Sequence, residues 1–353
     1  MKVKKTPIIF LIVVCVIFFV EKYIVISFDR DSVYKVNLPK DMKVANYSNV
    51  SDYLYKNIYI DKQSLPSVGD YDVLVYVSVA SFSQIDFNFY KNGKNSEVKS
   101  FVPCTDFAGK VVKVGKKVKK FEVGDRVFGI ADISKRNGAC AEYVSVPQNE
   151  LDIIPYSLTD KQAASIPTPA LLNYIAYRSI EKKGLKNGKI LIDDSMSETG
   201  IMLTGLLTRN GFNVSAIDKK DVMNWAYGFG VKEFIDVADI EKTYKKYVGK
   251  FDAVVNLRKG VDEKILLSFV KKGGEFISLE DVNVKSDNVK IKVIKPELID
   301  NSAILKMARL VHLGKLEIKV AREYNFDQIK DAYMRAEKGN LDGKVIINIH
   351  PTH

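Results

Sequence analysis

The sequence contains few of the side chains that bind metals. Its 353 residues include three cysteines and three histidines, whereas a zinc site needs three or four Cys, His or carboxylate ligands in a tetrahedral arrangement. Cys15, Cys104 and Cys140 form no Cys-x-x-Cys pair, and all three histidines lie near the C-terminus. No zinc cluster is recognisable from ligand spacing. We therefore predict a protein that functions without zinc.

The sequence also lacks a block of charge of one sign. The formal net charge is +11, but the 54 lysines and arginines are scattered among 43 acidic residues. Internal repeats and low-complexity tracts are absent from the sequence as well. We interpret the charge as a lysine-rich solvated surface, and we predict no nucleic-acid partner.

The long apolar stretch of the sequence lies at its N-terminus. Three lysines precede residues 8–28, which are apolar apart from Glu21 and Lys22 and a few polar residues after them. As a helix this stretch would extend about 31 Å, roughly the thickness of the hydrocarbon core of a bilayer. We predict a transmembrane signal-anchor at residues 1–28 and a polar linker at residues 29–41. The positive-inside rule then places the N-terminus in the cytoplasm.

A cleaved signal peptide is the alternative reading of this segment. The charged pair Glu21 and Lys22 costs about 3 kcal/mol inside a membrane unless it lies near the interface. A signal peptide would end before that pair, but no A-x-A cleavage site follows Val20. A single-pass membrane protein is therefore our prediction, and secretion after cleavage stays the alternative.

The rest of the sequence divides into two parts by the period of its apolar residues. Residues 71–80 alternate and are rich in valine, as in a β-strand, so residues 42–165 are predicted to be mainly β. Residues 166–316 alternate helical spans with short apolar strands, which indicates βαβ units and a parallel sheet. Residues 317–353 are predicted to rejoin the first part.

The predicted strands of the second part are short. They lie at residues 190–192, 214–217, 234–237, 253–256 and 276–279. Strands return at residues 315–320 and 344–349, which is why we expect the C-terminal segment to pair with the first part of the chain.

Five stretches carry a resemblance to one enzyme family. They are ASFSQIDFNFYKNG at 80–93, PCTDFAGKVVKVGKKVKKFEVGDRVFG at 103–129, GACAEYVSVP at 138–147, IPTPALLNYIAY at 166–177 and DGKVIINI at 342–349. Together they resemble the quinone oxidoreductase and enoyl reductase branch of the zinc-free medium-chain dehydrogenase/reductase superfamily. The resemblance implies an α/β fold. The expected fold has a mainly β, GroES-like substrate domain and a Rossmann-type doubly wound parallel sheet that binds a dinucleotide. A cleft is expected between the two.

The resemblance also bears on metals and cysteines. The zinc-dependent branch carries Gly-His-Glu where this chain has Cys104, Thr105 and Asp106, so the zinc-free branch is the nearer relative. Cys104 and Cys140 lie in segments that are neighbours in the family fold. Buried free thiols are the default expectation for this pair, and a disulfide is the alternative if the domain is extracytoplasmic.

The family's cofactor turn is altered in this sequence. In the family the first Rossmann strand leads into Ala-x-Gly-Gly-Val-Gly, whose glycines let the pyrophosphate of NADPH or NADH approach the backbone. Here residues 190–202 read ILIDDSMSETGIM, with Ser197 and Glu198 in place of the Gly-Gly pair. A glutamate 5 Å from a phosphate charge repels it by about 3 kcal/mol at an effective dielectric constant of 20. We therefore predict weakened dinucleotide binding.

The resemblance assigns the remaining cofactor residues to this turn and to the next strand end. Asp218 is placed to bond the adenosine ribose, as in NAD binders, while the lysines after it suit the 2′-phosphate of NADPH. An ordinary strand-end turn is the alternative for Asp218. The predicted cofactor residues are Ser195, Ser197, Thr199, Gly200, Asp218 and Lys220.

The substrate side is predicted from residues 80–93. Hydride transfer to a quinone or an α,β-unsaturated carbonyl needs orientation and a hydrogen-bond donor for the developing oxygen charge. On the resemblance the candidates are Ser83, Asp86 and Tyr90. The predicted protein is thus an NAD(P)H-dependent reductase of small lipophilic carbonyl or quinone compounds, tethered to a membrane and forming a homodimer. A non-catalytic, membrane-tethered interaction module that has lost dinucleotide binding is the alternative.

Overall fold

The computed structural model describes residues 37–48, 54–82, 100–131, 138–184, 187–257, 260–279, 281–294, 301–338 and 343–350. The chain divides into two compact units, Met1–Pro39 and Lys40–His353. Nearly all of the first unit lies outside the described residues, and with it the predicted transmembrane segment at residues 1–28. No helix in the described part of the chain is both long enough and apolar enough to cross a membrane.

The N-terminal half is built from strands, as its alternating pattern predicts. The strands are β1 (Asp41–Ser48), β2 (Ile58–Ser64), β3 (Asp72–Phe82), β4 (Ser100–Phe101), β5 (Asp106–Val114), β6 (Arg126–Ile130), β7 (Tyr143–Pro147) and β8 (Leu151–Ile153). A single 3₁₀ turn at Leu54–Asn57 precedes β2. The alternation at residues 71–80 therefore lies within β3.

From residue 160 onward helices and strands alternate. The elements are α1 (Asp160–Ala164), α2 (Pro167–Glu181), β9 (Lys189–Asp193), α3 (Glu198–Arg209), β10 (Asn213–Asp218), α4 (Met223–Gly228), β11 (Glu233–Asp236), α5 (Ile240–Thr243), β12 (Phe251–Asn256), α6 (Glu263–Ser268), β13 (Val270–Ser278), β14 (Lys290–Val293), α7 (Asn301–His312), β15 (Val320–Asn325), α8 (Ile329–Glu337) and β16 (Lys344–Asn348). Short 3₁₀ turns lie at Lys220–Val222, Val237–Asp239, Tyr244–Tyr247 and Phe326–Gln328.

Three sheets organise the described strands. A six-stranded sheet has the order β11-β10-β9-β12-β13-β14, and every pair in it is parallel. A seven-stranded sheet has the order β15-β16-β3-β5-β6-β8, with β7 also paired to β3, and β2-β1-β4 form a third sheet. Because β16 pairs with β3, the C-terminal strand joins the sheet of the N-terminal half. This confirms the α/β fold with a GroES-like unit and a Rossmann-like sheet.

The strands of the parallel sheet are apolar on both faces because both faces are covered. Ile190 and Ile192 contribute to one core, which also contains Leu171 of α2 and Leu203 of α3. Leu191, between them, contributes to the core on the other face. A strand buried on both sides gives an unbroken apolar run rather than an alternating one, and this explains the short apolar stretches of the sequence.

One strand was predicted too early. A strand was expected at residues 315–320, but β15 begins at Val320. Gly314 has a φ of 64°, and the N–H groups of Lys315 and Leu316 both donate to the carbonyl of Leu310 at 2.8 and 3.2 Å. These bonds satisfy the carbonyl of Leu310, and the N–H of Gly314 satisfies that of Val311 at 2.9 Å, so the residues from Gly314 onward form a helix-ending turn.

Candidate cofactor and active site

Buried polar side chains mark the carboxyl ends of four adjacent parallel strands. Asp193 ends β9, Asp218 ends β10, Asn256 ends β12 and Ser278 ends β13, and all four are at most 5% exposed. Ligands of doubly wound sheets bind outside the carboxyl ends of the strands, where the strand order reverses. In this sheet the reversal lies between β9 and β12, so this edge is the candidate cofactor site.

The turn after β9 holds an aspartate in a conformation that glycine favours. Asp194 has a φ of 66°, in the left-handed region where a β-carbon is crowded. Its N–H donates to the carbonyl of Ile217 at 3.0 Å, and its carbonyl accepts from the N–H of Ser197 at 3.2 Å. The turn therefore reverses direction tightly although Asp194 has a side chain.

Ser197 caps the helix that follows this turn. Its Oγ accepts the N–H of Gly200 at 3.1 Å and donates to the carbonyl of Asp194 at 2.9 Å. A serine at this position satisfies one of the backbone donors that a helix N-terminus would otherwise offer to an anion. Glu198 stands in the first turn of α3, where the helix dipole favours its charge. Both predicted substitutions thus lie at the start of the helix and stabilise it.

Gly200 is kept for a steric reason internal to the turn. A β-carbon at this position would lie 2.2 Å from the carbonyl oxygen of Asp194. Only glycine lets α3 pack this closely against the turn. The neighbouring Thr199 is buried, and its carbonyl accepts from Nδ2 of Asn173 at 2.9 Å.

The carboxylate of Asp218 is turned toward its own backbone. It accepts the N–H of Met196 at 2.9 Å and the N–H of Lys219 at 2.8 Å, and Oγ of Ser195 lies 3.4 Å away. Asp218 is 5% exposed, whereas Lys220 is exposed at the start of a 3₁₀ turn. The six predicted cofactor residues therefore lie together, at the turn after β9 and the end of β10. Their role in binding stays a prediction.

A dinucleotide fits this edge in part. Gly200 provides the close approach of helix and turn, and Asp218 lies at the strand end where NAD binders carry an acid. Ser197 uses the N–H of Gly200 for its own cap, and Glu198 places a carboxylate in the same turn. The edge therefore suits the adenosine half of the cofactor better than its pyrophosphate.

A cavity of about 340 Å³ lies on the other side of β9 from Asp218. It is lined by eight residues, which include Asn256 at the end of β12, Asp262 and Asn283. Asp262 caps α6 by accepting the N–H of Lys264 at 2.8 Å. The strand order reverses between β9 and β12. The turn after β9 lies on one side of this point, and the cavity lies on the other, at the end of β12.

The predicted substrate residues Ser83, Asp86 and Tyr90 lie outside the described residues. The described part of the chain ends next to them at Phe82, the last residue of β3. Their role therefore stays a prediction.

A buried ion pair lies beside the end of β3. Nζ of Lys344 is 2.7 Å from Oδ2 of Asp106, and both side chains are fully buried. Asp106 also accepts the N–H of Thr168 at 3.1 Å and its O–H at 2.5 Å. Ser81, which is paired in register with Asp106, donates to the carbonyl of Ala164 at 2.8 Å. Both partners stood in recognised motifs, but the sequence did not indicate that they meet.

The C-terminal end of helix α2 is stabilised by a hydrogen bond between two of its own side chains. The hydroxyl of Tyr177 donates to Glu181 at 2.8 Å, and burial together with this bond raises the pKa of Tyr177 to about 12. The same bond, with help from Arg178, lowers the pKa of Glu181 below its usual value. The last turn of α2 is thus held by side chains of the helix itself.

Cys104 and Cys140 form a disulfide. Their Cα atoms are 5.3 Å apart, within the range that a bridge requires. The N–H of Ala139 donates to the carbonyl of Cys104 at 2.8 Å, and the N–H of Cys140 donates to that of Pro103 at 3.0 Å. The prediction that these segments are neighbours is confirmed.

Comparison with known proteins agrees with this architecture. Residues 69–156 match the family described as the alcohol dehydrogenase GroES-like domain, and residues 229–347 match the family described as zinc-binding dehydrogenase. The chain is 27% identical over 333 residues to the 2-methylene-furan-3-one reductase of Solanum lycopersicum, which covers 90% of this chain and 81% of the relative. It is 26% identical over 276 residues to the mitochondrial NAD(P)H oxidoreductase RTN4IP1 of Mus musculus, covering 69% of each chain.

The fold is that of a solved oxidoreductase. The quinone oxidoreductase of Coxiella burnetii superposes with a TM-score of 0.77 at 21% identity, covering 88% of this chain and 100% of that one. The second matched family is named for zinc, but no group of three or more His, Cys, Asp or Glu side chains in the described residues is placed to hold a metal ion. Zinc independence stays a prediction.

The predicted location is corrected by these comparisons. We expected a single-pass membrane protein with a cytoplasmic N-terminus, but the relatives include a mitochondrial oxidoreductase. In the described residues no helix is suited to cross a membrane. The apolar segment that misled the prediction lies outside the described residues, and the single-pass assignment is withdrawn.

Proposed function

The chain belongs to the medium-chain dehydrogenase/reductase superfamily, and from this we propose that it is an NAD(P)H-dependent oxidoreductase. The proposed reaction transfers hydride to a small lipophilic quinone or α,β-unsaturated carbonyl compound. The observation that carries the proposal is the row of buried polar residues at the carboxyl ends of β9, β10, β12 and β13, at the reversal in strand order where such sheets bind ligands.

The chain's own residues would orient the cofactor across this edge. We assign the adenosine side to β10, with Asp218 and Lys220, and the nicotinamide side to β12, with Asn256. A reduced nicotinamide bound there supplies the hydride. The protein needs to orient it, exclude water and donate a hydrogen bond to the oxygen that gains charge. On the substrate side we propose Tyr90 as that donor, and we keep Ser83 and Asp86 as further candidate residues of the reaction.

We propose a preference for NADPH over NADH. Both oxygens of Asp218 accept backbone N–H groups, so this carboxylate is less available to a ribose hydroxyl than in an NAD binder. Lys220 is exposed two residues further on and carries the charge that a 2′-phosphate requires. Affinity for both cofactors should be low, because Ser197 and Glu198 oppose the pyrophosphate.

The test is a calorimetric titration of the full-length protein with NADPH and NADH, followed by an assay of NADPH oxidation with a quinone and an enone. We expect weaker binding than micromolar, NADPH favoured, and turnover of at least one substrate class. The paired change Ser197→Gly and Glu198→Gly should tighten binding by about a hundredfold, the equivalent of one removed charge repulsion of about 3 kcal/mol. Lys220→Gln should reduce the preference for NADPH without weakening NADH binding.

A second candidate function is a non-catalytic interaction module of the same fold. The observation that favours it is the turn after β9, where Oγ of Ser197 bonds to backbone atoms of Asp194 and Gly200 and the carboxylate of Asp218 accepts the N–H of Met196. If neither dinucleotide binds and the double glycine variant recovers nothing, this candidate replaces the enzyme.

We also propose a homodimer. In the described residues β14 pairs on one side only, with β13, and an open strand edge is a template for pairing with a second copy. Sedimentation velocity should show twice the mass of 39.8 kDa. A monomer at micromolar concentration would remove this proposal.

A further inference from the structure

We propose that Asp106, held by Lys344, is a positioning residue. It fixes the start of helix α2, and through α2 it fixes the cofactor turn after β9. The proposal concerns how the seven-stranded sheet and the six-stranded sheet are held in a fixed position relative to one another. Its catalytic consequence rests on the proposed function, but its structural part does not.

Helix α2 receives its N-terminal cap from a different element. Ile166, the residue before the helix, has an apolar side chain that cannot accept a hydrogen bond, and Pro167 follows it. The carboxylate of Asp106 accepts both the N–H and the O–H of Thr168, at 3.1 and 2.5 Å. Asp106 begins β5, so a residue of the seven-stranded sheet replaces the missing cap.

Lys344 balances the charge that this cap brings into the interior. Its ammonium lies 2.7 Å from Asp106, and both side chains are fully buried. Moving two charges out of water is costly, and well-packed apolar replacements of a buried pair are often as stable. General stability therefore gives little reason for this pair. Its specific effect is to join three elements, because Lys344 of β16, Asp106 of β5 and Thr168 of α2 are in contact there.

Helix α2 also contacts the cofactor turn. Asn173 lies five residues after Thr168, about 7.5 Å along the helix. Its Nδ2 donates to the carbonyl of Thr199 at 2.9 Å, in the first turn of α3. Thr168 and Asn173 are both buried. A displacement of the α2 start is therefore transmitted by one rigid helical segment to the residue next to Gly200.

The consequence for the proposed reaction is a change in rate rather than in binding. If the cofactor turn shifts with α2, the dinucleotide keeps its contacts with the turn, but it moves relative to the substrate side of the seven-stranded sheet. A misplacement of about 1 Å far from the reacting atoms can cost about a hundredfold in rate. We expect kcat to fall by about that factor while KM for NADPH stays within about threefold of its value in the unmodified protein.

The test compares amide hydrogen exchange by mass spectrometry in the full-length protein and three variants. The main variant is Asp106→Leu with Lys344→Met, which removes the cap and both charges together. Thr168→Val removes only the hydroxyl donor and serves if the double variant does not fold. Lys161→Met is the matched control. Lys161 lies in the neighbouring helix α1, and the change breaks its ion pair with Glu323, in which Nζ and Oε2 are 2.5 Å apart and both side chains are exposed.

We expect the double variant to exchange about tenfold faster both in the first turn of α2 and at residues 197–201, because a charged hydrogen bond that anchors both is lost. Thr168→Val should speed amide exchange in the same two regions by a smaller factor, and Lys161→Met should change the exchange rate in neither region. Faster exchange confined to the first turn of α2 would overturn the proposal, since the cap would then be local.

The outcomes separate this inference from the proposed function. If the unmodified protein neither binds nor oxidises NADPH, the function fails, and the exchange at residues 197–201 alone decides the positioning role. If the protein is active but the double variant keeps kcat and shows no change at residues 197–201, the positioning role fails and the function stands. Equal losses in kcat and in cofactor affinity would also contradict it, because they indicate general loosening.

Discussion

The seven-stranded sheet and the turn after β9 are held by links of different kinds. In the sheet, the segments around Cys104 and Cys140 are joined by a disulfide and flanked by two backbone hydrogen bonds. In the turn, Ser197 and Asp218 bond to the backbone of the turn itself. The motifs that resemble the family stand in the segments of the sheet, whereas the turn contains Gly200 as its one glycine. Side-chain hydrogen bonds can therefore hold a tight turn in which Asp194 has a positive φ.

The largest expected effect comes from the covalent link in the sheet. Changing Cys104 and Cys140 to Ser should lower the free energy of unfolding by about 2–4 kcal/mol, because the bridge restricts the unfolded chain. Urea denaturation without reductant measures this loss. Adding a dithiol to the unmodified protein should reproduce it. An unchanged urea midpoint would mean that the flanking hydrogen bonds alone hold these segments together.

Gly200→Ala tests the turn directly. The added β-carbon would lie 2.2 Å from the carbonyl oxygen of Asp194, so the variant should lose about 2 kcal/mol of stability. Gly228→Ala is the matched control, because nothing lies within 4 Å of its β-carbon and it ends α4. It should be neutral or slightly stabilising. Thermal melts of both variants give the comparison, and a stable Gly200→Ala protein would show that the turn can relax.

The caps of two helices give a finer test. Ser197→Ala removes the cap of α3 and should cost about 1 kcal/mol, while Thr159→Ala removes the capping box of α1 and should cost a similar amount. Ser197→Gly should cost only a few tenths of a kcal/mol. Denaturation curves of the three variants decide whether Ser197 is a structural cap. A loss for Ser197→Ala far smaller than for Thr159→Ala would contradict that assignment.

The smallest effect is expected at acidic pH. His350 stacks on Tyr76 with ring centroids 4.3 Å apart, and Nε2 of His350 lies 3.5 Å from Glu142. Burial lowers the pKa of His350, and Glu142 only partly opposes this. The unfolded state therefore binds the proton more readily, so stability from this group is complete above the ordinary histidine pKa of about 6.5 and declines as pH falls through it.

His350→Gln should flatten this part of the stability profile. Urea midpoints measured between pH 5 and about 8 for both proteins make the comparison. The change should be modest, since His350 is only partly buried. A steeper loss in the variant than in the unmodified protein would mean that protonated His350 stabilises the fold through Glu142.

Local patterns predicted the architecture because the rules behind them are local. The alternation at residues 71–80 marks β3, and the apolar runs mark strands covered on both faces, such as β9 and β12. Such rules could not predict the ion pair of Asp106 and Lys344, because nothing in either segment specifies the other as its partner. The same holds for Asp218, whose neighbours in sequence do not reveal that Met196 uses its carboxylate.

The bond between Met196 and Asp218 also sets the terms on which a ligand is admitted. A ribose hydroxyl that donates to Asp218 has either to share a carboxylate oxygen with an N–H group of the same chain or to displace that N–H, which is present at a far higher effective concentration than a dissolved cofactor. Where the N–H is displaced, the turn behaves as an internal competitor, and the apparent dissociation constant is the intrinsic one divided by the fraction of molecules in which the carboxylate is released. Affinity at this edge is in that sense a property of the protein's own conformational equilibrium as much as of the cofactor.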